Sequence, residues 1–266
     1  NLKLKLRGIK MKNNIKEKIL KGDKVLGTFF QLGGNTAVEC LGISGLDFFV
    51  IDTEHGPFDV ETSIDFIRTA ELSGITPFAR IKDVSRPSVL KMLDIGAKGL
   101  IVPCVNTVEE IKNLVEWSKY YPLGNRGFFT ARPAGYGYGD IAKDIDKYFN
   151  TCNEETLLIP QCETLGCLEN IEEIVSIDGV DGIFVGPYDL SIAMGKPTEF
   201  EDEDFIKAVN RILKACKDAG KLSFIYTGDN NVAKEYLKDG FDGVAVNFDA
   251  SIYIKAYKTL ISEIKG

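Results

Sequence analysis

A single TIM (β/α)8 barrel is the fold this sequence predicts, on three observations. Eight short apolar runs recur along the chain, and amphipathic stretches with helical spacing separate them. The length, 266 residues, suits one such barrel, which typically takes about 250 residues. A doubly wound open sheet is the lesser alternative.

The apolar runs fall at 25–30, 47–51, 76–81, 99–103, 156–161, 182–185, 222–226 and 243–246. They are rich in Val, Ile and Phe and too continuous for strands with one wetted face. Such runs suit a parallel sheet buried on both sides. In 60–72, Ile64, Ile67, Ala70 and Leu72 fall near one helical face, while Glu61, Asp65 and Arg68 lie elsewhere. The stretch 108–117 repeats this with Val108, Ile111, Leu114 and Val115, and 205–215 with Ile206, Val209, Ile212 and Leu213. Strand alternating with helix implies right-handed βαβ units, and eight of them close most naturally as a barrel. One connection breaks the rhythm: residues 124–139 form a Gly- and aromatic-rich loop, a kind usually functional or mobile. No domain boundary or low-complexity linker is visible, so residues 1–266 read as one barrel domain.

Composition narrows the function classes. A net charge of −7 argues against a surface for nucleic acid or anionic lipid, both of which need basic patches. No window of about 18 apolar residues exists to span a membrane. Leu2, Leu4 and Leu6 alternate with Lys3, Lys5 and Arg7, which lacks the apolar run of a signal peptide. Met11 looks like a start, and residues 1–10 are expected to be a leader or a disordered extension. The cysteines, Cys40, Cys104, Cys152, Cys162, Cys167 and Cys216, form no Cys-x-x-Cys pair and have one histidine to join them. That disfavours structural zinc, and a core this large needs no disulfide framework, so reduced thiols in a cytoplasmic protein are expected.

In a TIM barrel the active site lies at the C-terminal ends of the strands. The second run ends at Asp52-Thr53-Glu54-His55-Gly56-Pro57, the third at Arg80, the fifth at Gln161-Cys162-Glu163 and the sixth at Gly186-Pro187-Tyr188-Asp189. His55, the only histidine, is either a structural residue or a base; Asp52, three residues before it, could orient its ring. Glu163 and Asp189 fit three uses: a general acid/base pair, an ion pair with Arg80, or hard oxygen ligands for Mg²⁺ or Mn²⁺. They also fit surface acids in loops. Arg80 either clamps an oxyanion or pairs with a barrel carboxylate, because an arginine leaving a buried strand needs a partner. The turn at Gly186-Pro187 exposes the N–H groups of Tyr188 and Asp189, which can hold a carboxylate. Arg126 and Arg132 either bind an anionic substrate tail or are solvated loop residues.

Taken together, Asp52-x-Glu54-His55-x-Pro57, Arg80, Gln161-x-Glu163 and Gly186-Pro187-x-Asp189-Leu190-Ser191 resemble the HpcH/HpaI aldolase family. Leu93-Asp94-Ile95-Gly96-Ala97 and Arg126-Gly127 fit the same pattern, and the resemblance runs from about residue 27 to 195 with a weaker match to the end. It implies a TIM barrel that assembles as a domain-swapped hexamer, a trimer of dimers. It also implies a class II pyruvate aldolase acting on 4-hydroxy-2-oxo acids, including 2-keto-3-deoxy sugar acids, to give pyruvate and an aldehyde. Carried over, Glu163 and Asp189 are the ligands of a divalent metal, Mg²⁺, Mn²⁺ or Co²⁺. Arg80 stabilises the pyruvate enolate. His55 is the base, with Asp52 and Asp94 as carboxylate partners. Gln161, Tyr188 and Arg126 bind substrate. A class I aldolase would need a buried strand lysine for its Schiff base, and the candidate strand interiors hold none. Where the family often carries a Gly-Ser-Asp-like turn after the eighth strand, this chain has Asn247-Phe248-Asp249, which bears on the distal end of the substrate. Two other classes remain: another metal-dependent enolpyruvate lyase or mutase on the same barrel, and a non-catalytic binding barrel. A phosphate-handling mutase should show a Gly-rich or Lys-bearing loop after strand seven, where Thr227-Gly228-Asp229-Asn230 is acidic.

Overall fold

A computed structural model describes residues 11–266; the expectation for residues 1–10 lies outside that range. Eight parallel strands pair in chain order and close on themselves: β1 (Val25–Phe30), β2 (Phe48–Asp52), β3 (Thr76–Arg80), β4 (Gly99–Val102), β5 (Leu157–Cys162), β6 (Gly182–Val185), β7 (Leu222–Thr227) and β8 (Gly243–Phe248). The barrel predicted from the eight apolar runs is the one observed. The boundaries move by one or two residues, because β2 extends to Asp52 to pair with Arg80 at the end of β3.

Among the described residues twelve α-helices flank the strands: α1 (Asn14–Leu20), α2 (Asn35–Ile43), α3 (Val60–Ser73), α4 (Arg86–Ile95), α5 (Val108–Ser118), α6 (Ile145–Glu155), α7 (Leu165–Glu169), α8 (Ile171–Ser176), α9 (Pro187–Ala193), α10 (Glu203–Asp218), α11 (Asn230–Asp239) and α12 (Asp249–Lys265). Their starts follow ordinary capping chemistry. Asp59 caps α3 and Asp229 caps α11, and Thr107 with Glu110 forms a full capping box on α5.

The period of two along each strand sorts side chains into two cores. Phe49, Ile51, Ala79, Leu100, Ile183 and Val185 face the helices. Val25, Phe29, Phe48, Val50, Phe78, Ile101, Ile159, Phe184 and Phe224 fill the barrel, and Ile15 of α1 plugs its lower end. One interior layer is built on size: Phe48, Phe78 and Phe224 pack with centroids 5.1–6.0 Å apart. A Cβ on Gly27, Gly99 or Gly243 would lie within 2.4–2.7 Å of one of those rings, so glycine there makes room for them.

The same parity positions the site. Moving two residues up from Phe29, Val50, Phe78, Ile159, Phe184 and Phe224 reaches Gln31, Asp52, Arg80, Gln161, Gly186 and Tyr226, all at the C-terminal mouth. Buried cations lie at the other end. Lys119 donates to Asp181 and to the carbonyls of Asn153 and Thr156, and Lys98, just before β4, donates to the carbonyl of Met11. None of the eight strands carries a lysine.

Candidate active site

A cavity of about 150 Å³ opens at the C-terminal mouth. Arg80, Gln161 and the Gly186–Asp189 turn line one part of it; Phe29, Gln31, Tyr226 and Phe248 line another.

Arg80 is the centre of the charge arrangement. Its side chain is buried, with Nε donating to Asp52 Oδ1 at 3.0 Å and Nη2 to Asp52 Oδ2 at 2.8 Å. Such a fork-on-carboxylate pair fixes the guanidinium plane. Nη1 lies 3.2 Å from Glu54 Oε2, close enough for an ion pair but too far off line for a hydrogen bond. The guanidinium also stacks over Phe29, 4.7 Å from the ring centre. Burial alone would raise the Asp52 carboxyl, but Arg80 outweighs it and holds Asp52 below the usual carboxylate range.

Asp52 therefore serves Arg80, not the ring of His55. Its carboxylate accepts from Arg80 and from Gln31 Nε2 (2.9 Å), and from His55 it takes only the backbone N–H, at 3.3 Å. The His55 side chain is 65% exposed at the rim, and the nearest charged group to its Nε2 is Glu54, at 4.0 Å. The other expected partner, Asp94, lies on α4 and is paired with Arg126 at 2.8 Å.

Glu163 is buried, continuing the inward parity of β5. Its Oε1 accepts the Cys104 N–H at 2.7 Å and its Oε2 accepts from Gln161 Nε2. Cys104 achieves this with a left-handed backbone, φ 56°, that a non-glycine residue rarely adopts. Burial pushes the Glu163 carboxyl up; the Cys104 and Gln161 donors oppose the shift, and the charges of Asp189 and Glu54 add to it. Glu54 is raised in the same way, by burial first and with Asp52 and Asp189 adding to it. The Cys104 thiol registers the same field: burial and the charges of Glu163, Glu54 and Asp189 push it up to about 11.

Four carboxylates, Asp52, Glu54, Glu163 and Asp189, thus gather around one guanidinium, of which Asp52 occupies Nε and Nη2. The donor set left over is all oxygen. Glu163 and Asp189 are joined by Gln161 Oε1 and Glu54 Oε2, both buried and without a hydrogen-bond partner. A Cβ on Gly186 would come within 2.7 Å of Glu163 Oε2 and 2.9 Å of Gln161 Nε2, so glycine keeps this corner open. Excess negative charge and hard oxygens suit Mg²⁺ or Mn²⁺, which take one or two carboxylates and complete their shell with water or substrate. Among the described residues no group of three or more His, Cys, Asp or Glu is placed to hold a metal ion.

Asp189 and Tyr188 occupy the first turn of α9, where backbone N–H groups lack intrahelical acceptors. Tyr188 packs on Phe200 and Tyr226 beside the cavity. Arg126 sits elsewhere. It is 6% exposed, paired with Asp94 and stacked 4.7 Å over Tyr120. Arg132 is 7% exposed and bound to Glu71 and the Ile95 carbonyl. Both anchor the 124–139 loop instead of waiting in solvent, and neither lines the cavity.

Sequence reasoning gave no role to Glu54, Cys104, Gln31 or Tyr226. Parity from Phe29 and Phe224 points to Gln31 and Tyr226. Nothing local announces the left-handed Cys104. At the eighth strand, Asn247 takes a left-handed backbone, φ 57°, and its Nδ2 donates to the Gly228 carbonyl at 2.9 Å. Asparagine tolerates that conformation, so it does there what glycine would do.

With this geometry in hand, the comparisons with known proteins converge. The sequence profile of the HpcH/HpaI aldolase/citrate lyase family matches residues 26–256. A hydroxypyruvate/pyruvate aldolase of Roseobacter denitrificans is 31% identical over 255 residues, spanning 95% of this chain and 97% of that protein. A 2-keto-3-deoxy-L-rhamnonate aldolase of Salmonella typhimurium is 32% identical over 262 residues, spanning 96% and 94%. The crystal structure of an HpcH/HpaI aldolase/citrate lyase family protein from Burkholderia cenocepacia superposes with a TM-score of 0.87 at 28% identity, covering 96% of this chain and all of that one.

Proposed function

Because this chain belongs to the HpcH/HpaI aldolase/citrate lyase family and is a carbon–carbon lyase, we propose that it is a class II aldolase that cleaves a 4-hydroxy-2-oxo acid, of the 2-keto-3-deoxy sugar acid type, to pyruvate and an aldehyde. The observation that carries this proposal is a cavity lined by a buried, carboxylate-fixed Arg80 and by Asp189, with buried Glu163 within electrostatic reach of both.

Retro-aldol cleavage removes the 4-hydroxyl proton, breaks the C3–C4 bond, and sends its electron pair to the 2-oxo oxygen as an enolate. C3 then takes a proton to give pyruvate. Glu163 and Asp189 are the residues that would hold a divalent cation, Mg²⁺, Mn²⁺ or Co²⁺; bound there, it supplies Lewis acidity at the 2-oxo oxygen. Arg80 sets a fixed positive charge beside the developing enolate, and Asp52 keeps that charge from swinging away. The N–H groups of Tyr188 and Asp189 offer a seat for the oxo-acid carboxylate, and Gln161 Oε1 is free to accept a hydrogen bond. His55, exposed at the rim, takes the 4-hydroxyl proton. Arg126 and Asp94 would reach a substrate only if another copy of the chain presented them.

The exposed apolar residues of α12 support that idea. From Ile252 to the chain end every residue of α12 is exposed, including Ile252, Ile254, Tyr257, Leu260, Ile261 and Ile264. An apolar helix face on this scale seeks a partner surface, and a hexamer built as a trimer of dimers would supply one. A cytoplasmic site of action fits six free thiols and no membrane-spanning helix among the described residues.

The test is twofold: cleavage of a 4-hydroxy-2-oxo acid with each divalent cation, and deuterium exchange into the pyruvate methyl group without any aldehyde. Exchange and cleavage are both expected. Protein with bound cation that does neither would refute the aldolase reading.

A further inference from the structure

Gln31 follows β1 and is fixed at both ends. Its backbone N–H donates to Asp249 Oδ1 at 2.8 Å, and that of Leu32 donates to Asp249 Oδ2 at 3.0 Å, which ties the end of β1 to the start of α12. Its side-chain Nε2 donates to Asp52 Oδ2 at 2.9 Å. That bond also sets which way the amide faces, because a carboxylate repels the carbonyl and accepts only the NH₂. Gln31 lines the cavity, and with Nε2 committed to Asp52 the carbonyl Oε1 is the amide atom left to meet a ligand.

Position in the ring tells what Oε1 would meet. In a closed eight-strand barrel β1 lies across from β5, and β8 is its neighbour. The acids and the Gly186 turn sit at the ends of β5 and β6, so an oxo-acid head held there directs its other end toward β1 and β8. That wall is aromatic: Phe29, Tyr226 and Phe248 surround Gln31. Among the described residues Arg80 is the only cation lining the cavity, and Asp52 and Glu54 already hold it. A second carboxylate or a phosphate on the aldehyde portion would find no counter-charge there and would lose its water.

We propose that Gln31 is a specificity-determining residue: its carbonyl, held at the cavity wall by the bond from its NH₂ to Asp52, accepts a hydroxyl from the aldehyde portion of the substrate, selecting short uncharged hydroxyaldehydes over carboxylated ones. This rests on the aldolase function proposed above.

The experiment compares the parent protein with Gln31→Met in the addition of pyruvate to glycolaldehyde, acetaldehyde and succinic semialdehyde, with Mn²⁺ present. Methyl deuterium exchange of pyruvate alone is the control. The parent should favour glycolaldehyde over acetaldehyde and over succinic semialdehyde. Gln31→Met should lower the glycolaldehyde-to-acetaldehyde ratio of kcat/KM about tenfold, the worth of one hydrogen bond between neutral groups, while any loss of exchange from the missing bond to Asp52 is shared by acetaldehyde addition and cancels in that ratio. If Gln31→Met is insoluble, Gln31→Asn, whose amide reaches less far, should show a smaller fall in the same ratio. An unmoved ratio overturns the proposal, as does a parent that prefers succinic semialdehyde. A variant that loses exchange and all three additions together makes Gln31 a prop for Asp52 and overturns it too. A parent lacking both exchange and addition overturns the aldolase reading itself, and this proposal with it.

Discussion

Replacing Arg80 by Met separates what the guanidinium does for stability from what it does for chemistry. The substitution keeps most of the buried stem and removes the fork. Asp52, fully buried, then faces the barrel interior without its ion-pair partner. Breaking a buried pair by deleting one member costs about 3–5 kcal/mol. Here Asp52 keeps the Gln31 amide and the N–H groups of Glu54 and His55, which places the loss near the lower end, about 3 kcal/mol. For a chain of this size that is a fall of about 6–12 °C in Tm. The loss should depend on pH. In the parent, Asp52 is held below its ordinary value of 3.8, so its contribution is complete at neutral pH and fades as pH falls through the depressed value. In the variant, Asp52 takes up its proton at higher pH and escapes the buried charge, so the gap between the two proteins narrows toward acid. Deuterium exchange into pyruvate should drop about 10²–10³-fold, the usual cost of losing one preorganised charge-stabilising group. Arg80→Lys keeps the charge without the fork and should fall between on both scales. An Arg80→Met protein with unchanged Tm and normal exchange would sink the assignment.

The other outcomes divide along the same line. His55→Ala should leave Tm within about 1–2 °C, because the ring is exposed and makes no hydrogen bond, while cleavage falls about 10²–10⁴-fold; normal cleavage would remove His55 as the base. Asp52→Asn should resemble the Arg80 variants, with both exchange and cleavage impaired, and a variant that loses cleavage alone would return Asp52 to His55. Glu163→Gln and Asp189→Asn should each weaken Mn²⁺ binding in titration calorimetry by tenfold or more, and unchanged affinity in both would move the cation elsewhere. Light scattering should give an oligomer for the parent, and Tyr257→Glu with Ile261→Glu should reduce it to smaller species; a parent monomer at micromolar concentration would reject the assembly.

What the sequence made legible follows its periodicities. The eight strands were readable because burial on both faces leaves uninterrupted apolar runs, and all five residues of β2 and of β3 are indeed buried. That Asp52, Arg80, Gln161, Glu163 and Asp189 lie at the C-terminal mouth was readable because strand ends in a barrel converge. The partners of those residues were not. Asp52 is three residues from His55 and 28 from Arg80, and sequence nearness suggested the wrong neighbour; Asp52 pairs across the ladder with Arg80. Arg126 looked like a free loop cation because its partner, Asp94, lies on α4, 32 residues earlier. Gln31 was passed over although it stands two residues beyond the inward Phe29, on the parity that marks Asp52 and Arg80.

The shift of Asp52 from His55 to Arg80 changes how the site must divide its work. A histidine oriented by a buried carboxylate is a fixed base, ready before substrate arrives. The His55 ring has no such tether and sits at the rim with Glu54 as its nearest charged neighbour. The fixed element is the cation: Arg80 is locked by Asp52, stacked on Phe29 and flanked by Glu54, and Gln31 locks Asp52 in turn. Preorganisation is worth most where charge develops, and in an aldol cleavage that is the enolate oxygen, common to every substrate that yields pyruvate. The proton to be removed belongs to the variable half of the substrate, whose hydroxyl sits differently on different aldehydes. On the proposed function, a rigid cation with an untethered base at the rim suits one constant product and a changeable partner.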